Sequence, residues 1–292
     1  MTAAALALVL LSAVGHACWN FLLKRSGGGT PFIGLSKVVE VALMAPVFAW
    51  CCRADVPTVV SLWWLPVIGA LLVLVNYVCL ARAYRHGDLS VVYPVSRGAA
   101  LALVPLLAFA ASGERTDATG TAALVLVVAG IGMVQLPGFS RVALRTWGRS
   151  LVGDGSRFAL FAALAAACYT LWDQRAVRTL APFTYFFSYT LLLTVAYCGY
   201  LLRRTPLAEL TAEWRRHRGS IVGVGTLNAA SYLLMLAALR DGKASYALGA
   251  RQTSIVFGVL LGWLLLGEQL SRPRQAGALL IVAGCLLLAL AR

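Results

Sequence analysis

Apolar stretches recur along the whole chain, separated by short segments rich in Gly, Pro and charged residues. Ten of these stretches have the length of a helix that crosses a bilayer, which takes about 20 residues. None shows the alternation of polar and apolar residues that is typical of a membrane β-strand. The pattern predicts an all-α integral membrane protein with ten transmembrane helices, at residues 3–23, 31–51, 61–82, 90–111, 120–137, 157–173, 182–202, 219–239, 244–266 and 275–291.

The second half of the chain repeats the first. Arg97 and Arg251 lie 154 residues apart, and the same offset relates Gly113 to Gly267. Both glycines follow a long apolar run and are themselves followed by Glu, so we expect each to end its helix in the left-handed conformation. The glutamates are expected to cap the following turn or the next helix.

Five predicted helices fall in each half. Because five is an odd number, the second group must enter the membrane from the opposite side, which makes the two groups inverted repeats. We expect a first five-helix repeat at residues 1–138, a basic connecting loop at residues 139–156 and a second five-helix repeat at residues 157–292. Inverted repeats typically enclose a binding site near the bilayer midplane.

Composition supports a membrane location. Hydrophobic residues make up 60% of the chain and charged residues 12%, with a mean hydropathy of +0.81, whereas about a quarter of the residues in a soluble domain are charged. The net charge of +14 lies mainly between apolar runs, which indicates topology and not nucleic-acid binding.

Fifteen Lys and Arg residues lie in odd-numbered loops, against seven in even-numbered loops and at the C-terminus. The positive-inside rule then places both termini outside.

Charge inside the predicted helices is the strongest functional signal, because a central Arg costs about 2.5–3.5 kcal/mol even on the mildest scale. Arg97 and Arg251 each lie about seven residues, or roughly 10 Å, into a predicted helix. We expect the two guanidinium groups to flank the midplane and bind a carboxylate or phosphate-like group by forked hydrogen bonds. The alternative is that both arginines bind helix carbonyls and lock the two halves together.

A second charged pair lies in the second predicted helix. Lys37 and Glu40 are three residues apart and therefore share one face. Glu40 is interpreted as the only carboxylate deep in a spanning helix, which makes it a candidate for proton coupling or for binding a substrate ammonium group. Neutralisation by Lys37 is the alternative.

Aromatic and polar side chains mark the same region. His16, Trp19 and Asn20 share one face of the first helix, and Trp19 occupies the repeat position of Tyr169, so these two rings are expected to stack on an organic substrate or a cation. Packing inside the protein is the alternative for this stripe. The remaining candidates for the cavity lining are Tyr77, Tyr93, Tyr232, Tyr246 and Gln252.

The sequence carries no signal for a cofactor, a metal ion or an enzyme. The seven cysteines are scattered, mostly inside apolar runs, without the spacing of metal ligands. There is no nucleotide-binding loop, hydrolase elbow or HExxH motif.

Two motifs carry a family resemblance. The run from Gly87 to Arg97, GDLSVVYPVSR, followed by Gly113-Glu114-Arg115, resembles the EamA-like branch of the drug/metabolite transporter superfamily, as does the opening-helix segment His16-Ala17-Cys18-Trp19-Asn20. The resemblance implies a ten-helix secondary transporter of the inner (plasma) membrane that moves amino acids, related metabolites or other small polar compounds. The opening helix is also similar to that of members associated with phosphonate use. Members usually keep both termini in the cytoplasm, which disagrees with the charge count.

The leading hypothesis is a secondary active transporter that moves a zwitterionic or anionic metabolite by alternating access, through a cavity lined by predicted helices one, two, four, six, eight and nine. Protons are the expected coupling ion, and the protein is expected to be a monomer or homodimer in the lipid bilayer. The alternatives are an exporter of organic cations or drugs with an aromatic cavity, a membrane sensor or assembly subunit that does not transport, and an intramembrane enzyme.

Overall fold

The computed structural model describes residues 2–87, 89–136, 138–140, 145, 153–267 and 269–291. Most of the predicted basic connecting loop, and Glu268, lie outside these residues. A short 3-10 helix spans Arg53–Asp55. The α-helices are α1 (Ala3–Ser26), α2 (Thr30–Cys51), α3 (Val56–Ser61), α4 (Trp64–His86), α5 (Leu89–Ser112), α6 (Ala118–Val134), α7 (Asp154–Thr179), α8 (Pro182–Arg204), α9 (Leu207–Asp241), α10 (Ala244–Arg251), α11 (Thr253–Leu266) and α12 (Arg272–Leu290).

The described part of the chain consists of helices joined by short turns, without strands, because a helix satisfies its own backbone groups where the bilayer offers no water. It contains nine segments long and apolar enough to cross a membrane, one of which combines α10 and α11. The remaining predicted segment, at residues 120–137, corresponds to α6, which is apolar but has only 17 residues. The membrane class is therefore confirmed, and the count of ten spanning helices stays a prediction.

Several helices are longer than predicted, and two of them differ most, because a search for apolar stretches misses their polar ends. Helix α7 continues to Thr179, six residues beyond the predicted end at residue 173. Helix α9 begins at Leu207 and not at residue 219, and its backbone departs from helical geometry at His217 (φ −125°, ψ 15°). The segment before His217 was predicted to be a loop, and this prediction is wrong.

One predicted helix is interrupted. The segment 244–266 divides into α10 and α11 at Gln252, directly after Arg251. The backbone amide of Gln252 donates to the carbonyl of Gly249 (3.1 Å), and its side-chain amide donates to the carbonyl of Leu248 (3.1 Å). The side chain thus satisfies a backbone group next to the break, which a bilayer would otherwise leave without a partner.

The two halves pack on one another through helices at corresponding positions of the predicted repeat. Helix α1 packs on α9, and the corresponding helices α7 and α4 pack on each other. Helix α6 packs on α12, which is its own counterpart. The last contact is very close, because a Cβ added to Gly130 would lie 2.7 Å from the carbonyl oxygen of Gly277. This exchange of partners is the pattern that a two-fold axis between the halves produces.

Hydrogen bonds between the halves define two ends of the bundle. The terminal side is the end at which α1 begins and α2, α5, α7 and α9 end. There, Thr184 Oγ1 donates to Asp55 Oδ2 (2.6 Å). The opposite end, where α1, α4 and α8 end, is the basic side. There, the hydroxyl of Tyr197 donates to the carbonyl of Thr30 (3.2 Å).

The exits of α5 and α11 adopt the left-handed conformation, with φ of +69° at Gly113 and +67° at Gly267, as predicted. The expected capping role of the first glutamate is wrong. Asp117 caps α6 by accepting from the amide of Gly120 (3.0 Å), whereas Glu114 accepts from Ser245 Oγ of the other half (3.3 Å).

We expect Gly130→Ala to lower the apparent unfolding temperature of the purified protein by several degrees. The new methyl group would press on the backbone of α12, and overpacking of this kind costs about 1–3 kcal/mol. Gly258→Ala is the matched control, since a methyl group there meets no described atom within 4 Å. Equal unfolding temperatures for the two variants would contradict the close packing of α6 on α12.

Candidate functional site

A cavity of about 400 Å³ lies between the two halves. Eight helices line it, namely α1, α2, α4, α5, α7, α8, α9 and α10. Predicted helices three and seven, which are α4 and α8, therefore add to the six that were expected. The cavity runs from the middle of the bundle toward the basic side, where Leu23, Ile33 and Tyr84 contribute to its wall.

Eleven of the thirteen predicted site residues line this cavity. They come from both halves and from seven helices, together with the break after α10. These residues are His16, Trp19, Asn20, Lys37, Tyr77, Tyr93, Arg97, Tyr169, Tyr232, Arg251 and Gln252. Glu40 and Tyr246 do not line the cavity.

The two arginines face the cavity from opposite repeats. Arg251 Nη2 donates to His16 Nδ1 (3.3 Å), and its guanidinium carbon lies 5.2 Å from the centre of the Tyr232 ring. The guanidinium carbon of Arg97 lies 5.7 Å from the centre of the Tyr93 ring. Within the described residues, neither arginine has a carboxylate at ion-pair distance, and Arg251 Nε has no hydrogen-bond partner. The cavity therefore holds two cations whose hydrogen-bond donors are largely unused.

Lys37 and Glu40 form a pair on α2. Lys37 Nζ lies 2.7 Å from Glu40 Oε2, and Asn228 Nδ2 donates to both carboxylate oxygens of Glu40 at 3.0 and 3.1 Å. Glu40 is only 1% exposed and lies behind Lys37 and Asn228, which reach the cavity wall. The charge of Glu40 is thus balanced locally.

A second buried carboxylate was missed by the sequence analysis. Asp173, on α7, is 1% exposed and accepts from the hydroxyls of Tyr185 (2.7 Å) and Tyr232 (2.5 Å). The expectation that Glu40 is the only deep carboxylate is therefore wrong. The predicted helix stopped at residue 173, so its last residue was read as a loop boundary. The four-residue spacing from Tyr169 would have placed Asp173 on the same helical face.

Tyr246 was predicted to line the cavity but lies at the terminal side. Its hydroxyl donates to Asp117 Oδ1 (2.6 Å), in a space that Gly120 leaves open. The reason is helical phase. Tyr93 precedes Arg97 by four residues, which is about 40° past a full turn, whereas Tyr246 precedes Arg251 by five, which is about 140° past a full turn.

Aromatic rings form much of the remaining wall. His16 and Trp19 meet edge to face at 5.0 Å, and Phe186 stacks on Tyr232 at 5.3 Å. Trp19 Nε1 is buried without a partner among the described residues. Asn20 and Tyr77 are exposed, and the side-chain amide of Asn20 donates to the carbonyl of His16 (2.7 Å).

The cavity is closed on the terminal side by contacts between the repeats. Trp172 Nε1 donates to the carbonyl of Leu65 (2.9 Å), and Lys243 Nζ donates to the carbonyl of Arg115 (2.9 Å). The bond from Tyr246 to Asp117 belongs to the same layer. The observed conformation is thus open toward the basic side and closed on the terminal side.

A bundle of apolar helices defines a multi-pass membrane protein, and its internal cavity, with a few polar and charged groups, has the size of small-molecule sites. Residues 155–290 match the model of the EamA-like transporter family. This match identifies the second half of the chain as an EamA-like unit and confirms the resemblance drawn from the sequence motifs. The protein is a multi-pass membrane protein, and its second half is similar to the EamA-like transporters.

The fold also occurs in solved structures. A crystal structure of a protein with 16% sequence identity superposes with a TM-score of 0.72, over 99% of this chain and 98% of that chain. At this identity the likeness shows the fold alone. A search of curated proteins found no match.

We expect Lys37→Met to destabilise the protein strongly, because it leaves Glu40 charged and buried without its cation. Breaking one side of a buried pair costs about 3–5 kcal/mol. The double variant Lys37→Met, Glu40→Gln should regain most of the lost stability, since Gln at position 40 keeps the bond to Asn228 without a charge. Thermal unfolding of both variants in detergent is the measurement. Equal stability of the single and double variants would show that the pair is not a unit.

Proposed function

We propose that the protein is a secondary active transporter of the inner membrane that carries a small anionic or zwitterionic metabolite by alternating access. The observation that carries the proposal is the presence of Arg97 and Arg251 in one cavity without a carboxylate at ion-pair distance among the described residues. A carboxylate or phosphonate group would neutralise this charge and fill the forked donors of a guanidinium group.

The charges around the cavity favour an anion. Lys37 is balanced by Glu40, and Asp173 offsets at most one of the two arginines. One positive charge is therefore left over inside an apolar protein, where an unbalanced charge is costly. A bound anion removes this cost, which makes its binding favourable in the membrane interior.

The size and wall of the cavity favour a small organic molecule. About 400 Å³ lies in the lower part of the range for small-molecule sites. Tyr169 and Trp19, which face the cavity, offer ring faces to the ammonium end of a zwitterion. This combination suits an amino acid or an aminophosphonate better than a purely apolar compound.

Alternating access is supported by two features of the bundle. The cavity is open toward one side only, and the helices of the two halves pack through exchanged partners. If the halves are inverted repeats, each half can adopt the packing that the other half has in this structure. This exchange would produce a second state, in which the cavity is open toward the terminal side and closed on the basic side. The contacts on the terminal side would then break, and similar contacts would form on the basic side.

The aromatic wall supports a second candidate, an exporter of organic cations. Phe186, Tyr189 and Tyr232 form a cluster of rings beside the cavity. Arg97 and Arg251 oppose this candidate, because they would repel a cation in the same space.

A sensor or assembly subunit would bind the same anion without moving it, and flux into proteoliposomes separates that class from a carrier. An intramembrane enzyme is disfavoured, because the matching family consists of transporters.

We expect Arg97→Gln and Arg251→Gln each to weaken anion binding about tenfold or more, since a hydrogen bond to a charged group contributes about 1.5–3 kcal/mol. Thermal shift of the purified protein would be measured with glutamate, 2-aminoethylphosphonate, methylphosphonate, inorganic phosphate, choline and tetraethylammonium. Arg178→Gln is the matched control, because Arg178 is exposed at the end of α7.

Stabilisation by one of the anions or zwitterions that both cavity variants weaken and the control retains would support the proposal. Stabilisation by choline or tetraethylammonium alone, unchanged in both variants, would favour the cation exporter. Radiolabelled uptake of the stabilising compound into proteoliposomes then tests transport, and binding without uptake would contradict a carrier.

We expect Tyr246→Phe to loosen the closed terminal side, because the variant loses the hydrogen bond to Asp117 that joins the two repeats. Loss of a hydrogen bond costs about 1 kcal/mol, so local opening should become about fivefold more frequent. Hydrogen–deuterium exchange of residues 244–251 should accelerate accordingly. Tyr200→Phe is the control, since Tyr200 is 56% exposed on α8. Unchanged exchange in Tyr246→Phe would show that this bond does not hold the terminal side closed.

A further inference from the structure

We propose that Asp173 binds a proton together with the anionic substrate, so that the carrier moves the proton and the anion as a unit. This inference rests on the proposed function, because it requires an anion at Arg97 and Arg251. It replaces Glu40, the carboxylate that the sequence favoured, as the coupling site.

Asp173 lies at the inner end of the cavity. It lines a recess of about 20 Å³ that shares Arg97, Arg251 and Tyr232 with the main cavity. A volume of about 10–15 Å³ is enough for one water molecule. The recess therefore gives a proton a short path between Asp173 and the cavity, which is open toward the basic side.

The contacts of Asp173 differ from those of Glu40. Only neutral tyrosine hydroxyls donate to Asp173, and no Lys or Arg lies at ion-pair distance from it within the described residues. Glu40, the other carboxylate buried in this part of the chain, has Lys37 at 2.7 Å. A proton on Glu40 would leave Lys37 as an unbalanced buried charge, whereas a proton on Asp173 removes a buried charge. Asp173 is the carboxylate that can change its charge without breaking an ion pair.

Charged and titratable groups surround Asp173 on every side that lines the recess and the adjoining cavity. They are Tyr169 on its own helix, His16 on α1, Lys37 on α2, Tyr77 and Tyr84 on α4, Tyr93 and Arg97 on α5, Tyr185 and Tyr189 on α8, Tyr232 on α9 and Arg251 on α10. Lys37 is paired with Glu40, so only the two arginines carry a fixed charge that no ion pair balances, and both are positive.

The arginines couple the proton to the anion. Their positive charge favours the ionised form of Asp173, because opposite charges attract. An anion between Arg97 and Arg251 cancels that charge, and Asp173 then takes up a proton more readily. By linkage, a proton on Asp173 strengthens anion binding by the same factor. The two ligands therefore bind cooperatively, as cotransport requires.

Tyr232 gives this coupling a structural form. Its hydroxyl donates to Asp173 Oδ2 (2.5 Å), and its ring lies 5.2 Å from the guanidinium carbon of Arg251. An ionised carboxylate accepts hydrogen bonds only, whereas a protonated one has an O–H group that must donate. Protonation of Asp173 therefore forces one tyrosine hydroxyl to become the acceptor or to move away.

Tyr232 is the tyrosine that can respond. The hydroxyl of Tyr185 packs against α4 at Gly69 and fills the space that a side chain at position 69 would need, so Tyr185 is held between the two halves. Tyr232 faces the cavity and is only partly buried. A change at Asp173 is thus transmitted to Tyr232, and through its ring to Arg251.

Infrared spectroscopy of the purified protein without any anion tests the proton site itself. We expect a band from a buried protonated carboxyl group that grows as the pH is lowered. This band should be lost in Asp173→Asn and kept in Glu40→Gln and in Asp154→Asn. Asp154 is the matched control, because it is exposed and lies at the start of the same helix. A band that persists in Asp173→Asn, or is lost in Glu40→Gln, would overturn the assignment.

The same titration with sulfate or methanesulfonate, whose charges do not change over the pH range used, tests the coupling. Either anion should raise the pH midpoint of the band in the wild type and leave it unchanged in Arg97→Gln. An unchanged wild-type midpoint would overturn the coupling. Thermal shift with the same anions shows whether such a failure lies in the coupling or in the proposed anion site.

Binding measured against pH gives a third readout and separates Asp173 from His16. Wild-type affinity for methanesulfonate should rise about tenfold or more as the pH is lowered. Asp173→Asn should bind tightly at every pH, because Asn mimics the protonated acid. His16→Gln should keep the pH dependence. Loss of the dependence in His16→Gln, with its retention in Asp173→Asn, would assign the proton to the histidine and overturn the proposal.

Discussion

The cost of holding two guanidinium groups inside a membrane is the constraint on which the arrangement of the cavity depends. Arg97 and Arg251 come from different halves and line the same cavity. Within the described residues, neither guanidinium group has a carboxylate at ion-pair distance. The protein lowers this cost with ring faces, with His16 and with the neighbouring Asp173. These contacts are weak or indirect compared with an ion pair, which leaves the arginines available to a ligand.

The closed terminal side shows how a repeated chain restricts access to such a site. Hydrogen bonds from Trp172, Gln174 and Tyr246 reach residues of neighbouring helices at that end, while the cavity stays open toward the other. Each bond is worth only about 1 kcal/mol. A layer of several such bonds is strong enough to favour one state and weak enough to be broken when a ligand binds, as an alternating carrier requires.

The sequence was sufficient to predict the membrane class and most of the residues that line the cavity, because both depend on patterns that are visible without coordinates. Apolar runs identify spanning helices, whereas the repeat indicated by the offset between Arg97 and Arg251 stays a prediction. Tyr246 was misplaced because it lies five residues before Arg251, whereas Tyr93 lies four residues before Arg97, and a shift of one residue rotates a helical side chain by about 100°. Asp173 was missed because the apolar run ends there although the helix does not.

Asp173 marks a difference in charge between the two halves of the chain. With Trp19 matched to Tyr169, the position of Asp173 corresponds to Leu23 in the first repeat. Duplication thus supplies two arginines but only one acid, and the sum of the three charges is positive when the acid is ionised. A symmetric scaffold with two acids would have balanced its own arginines and left no charge for a substrate. Under the proposed function, the leucine at position 23 is therefore as important for anion binding as the arginines, because it keeps the cavity positive.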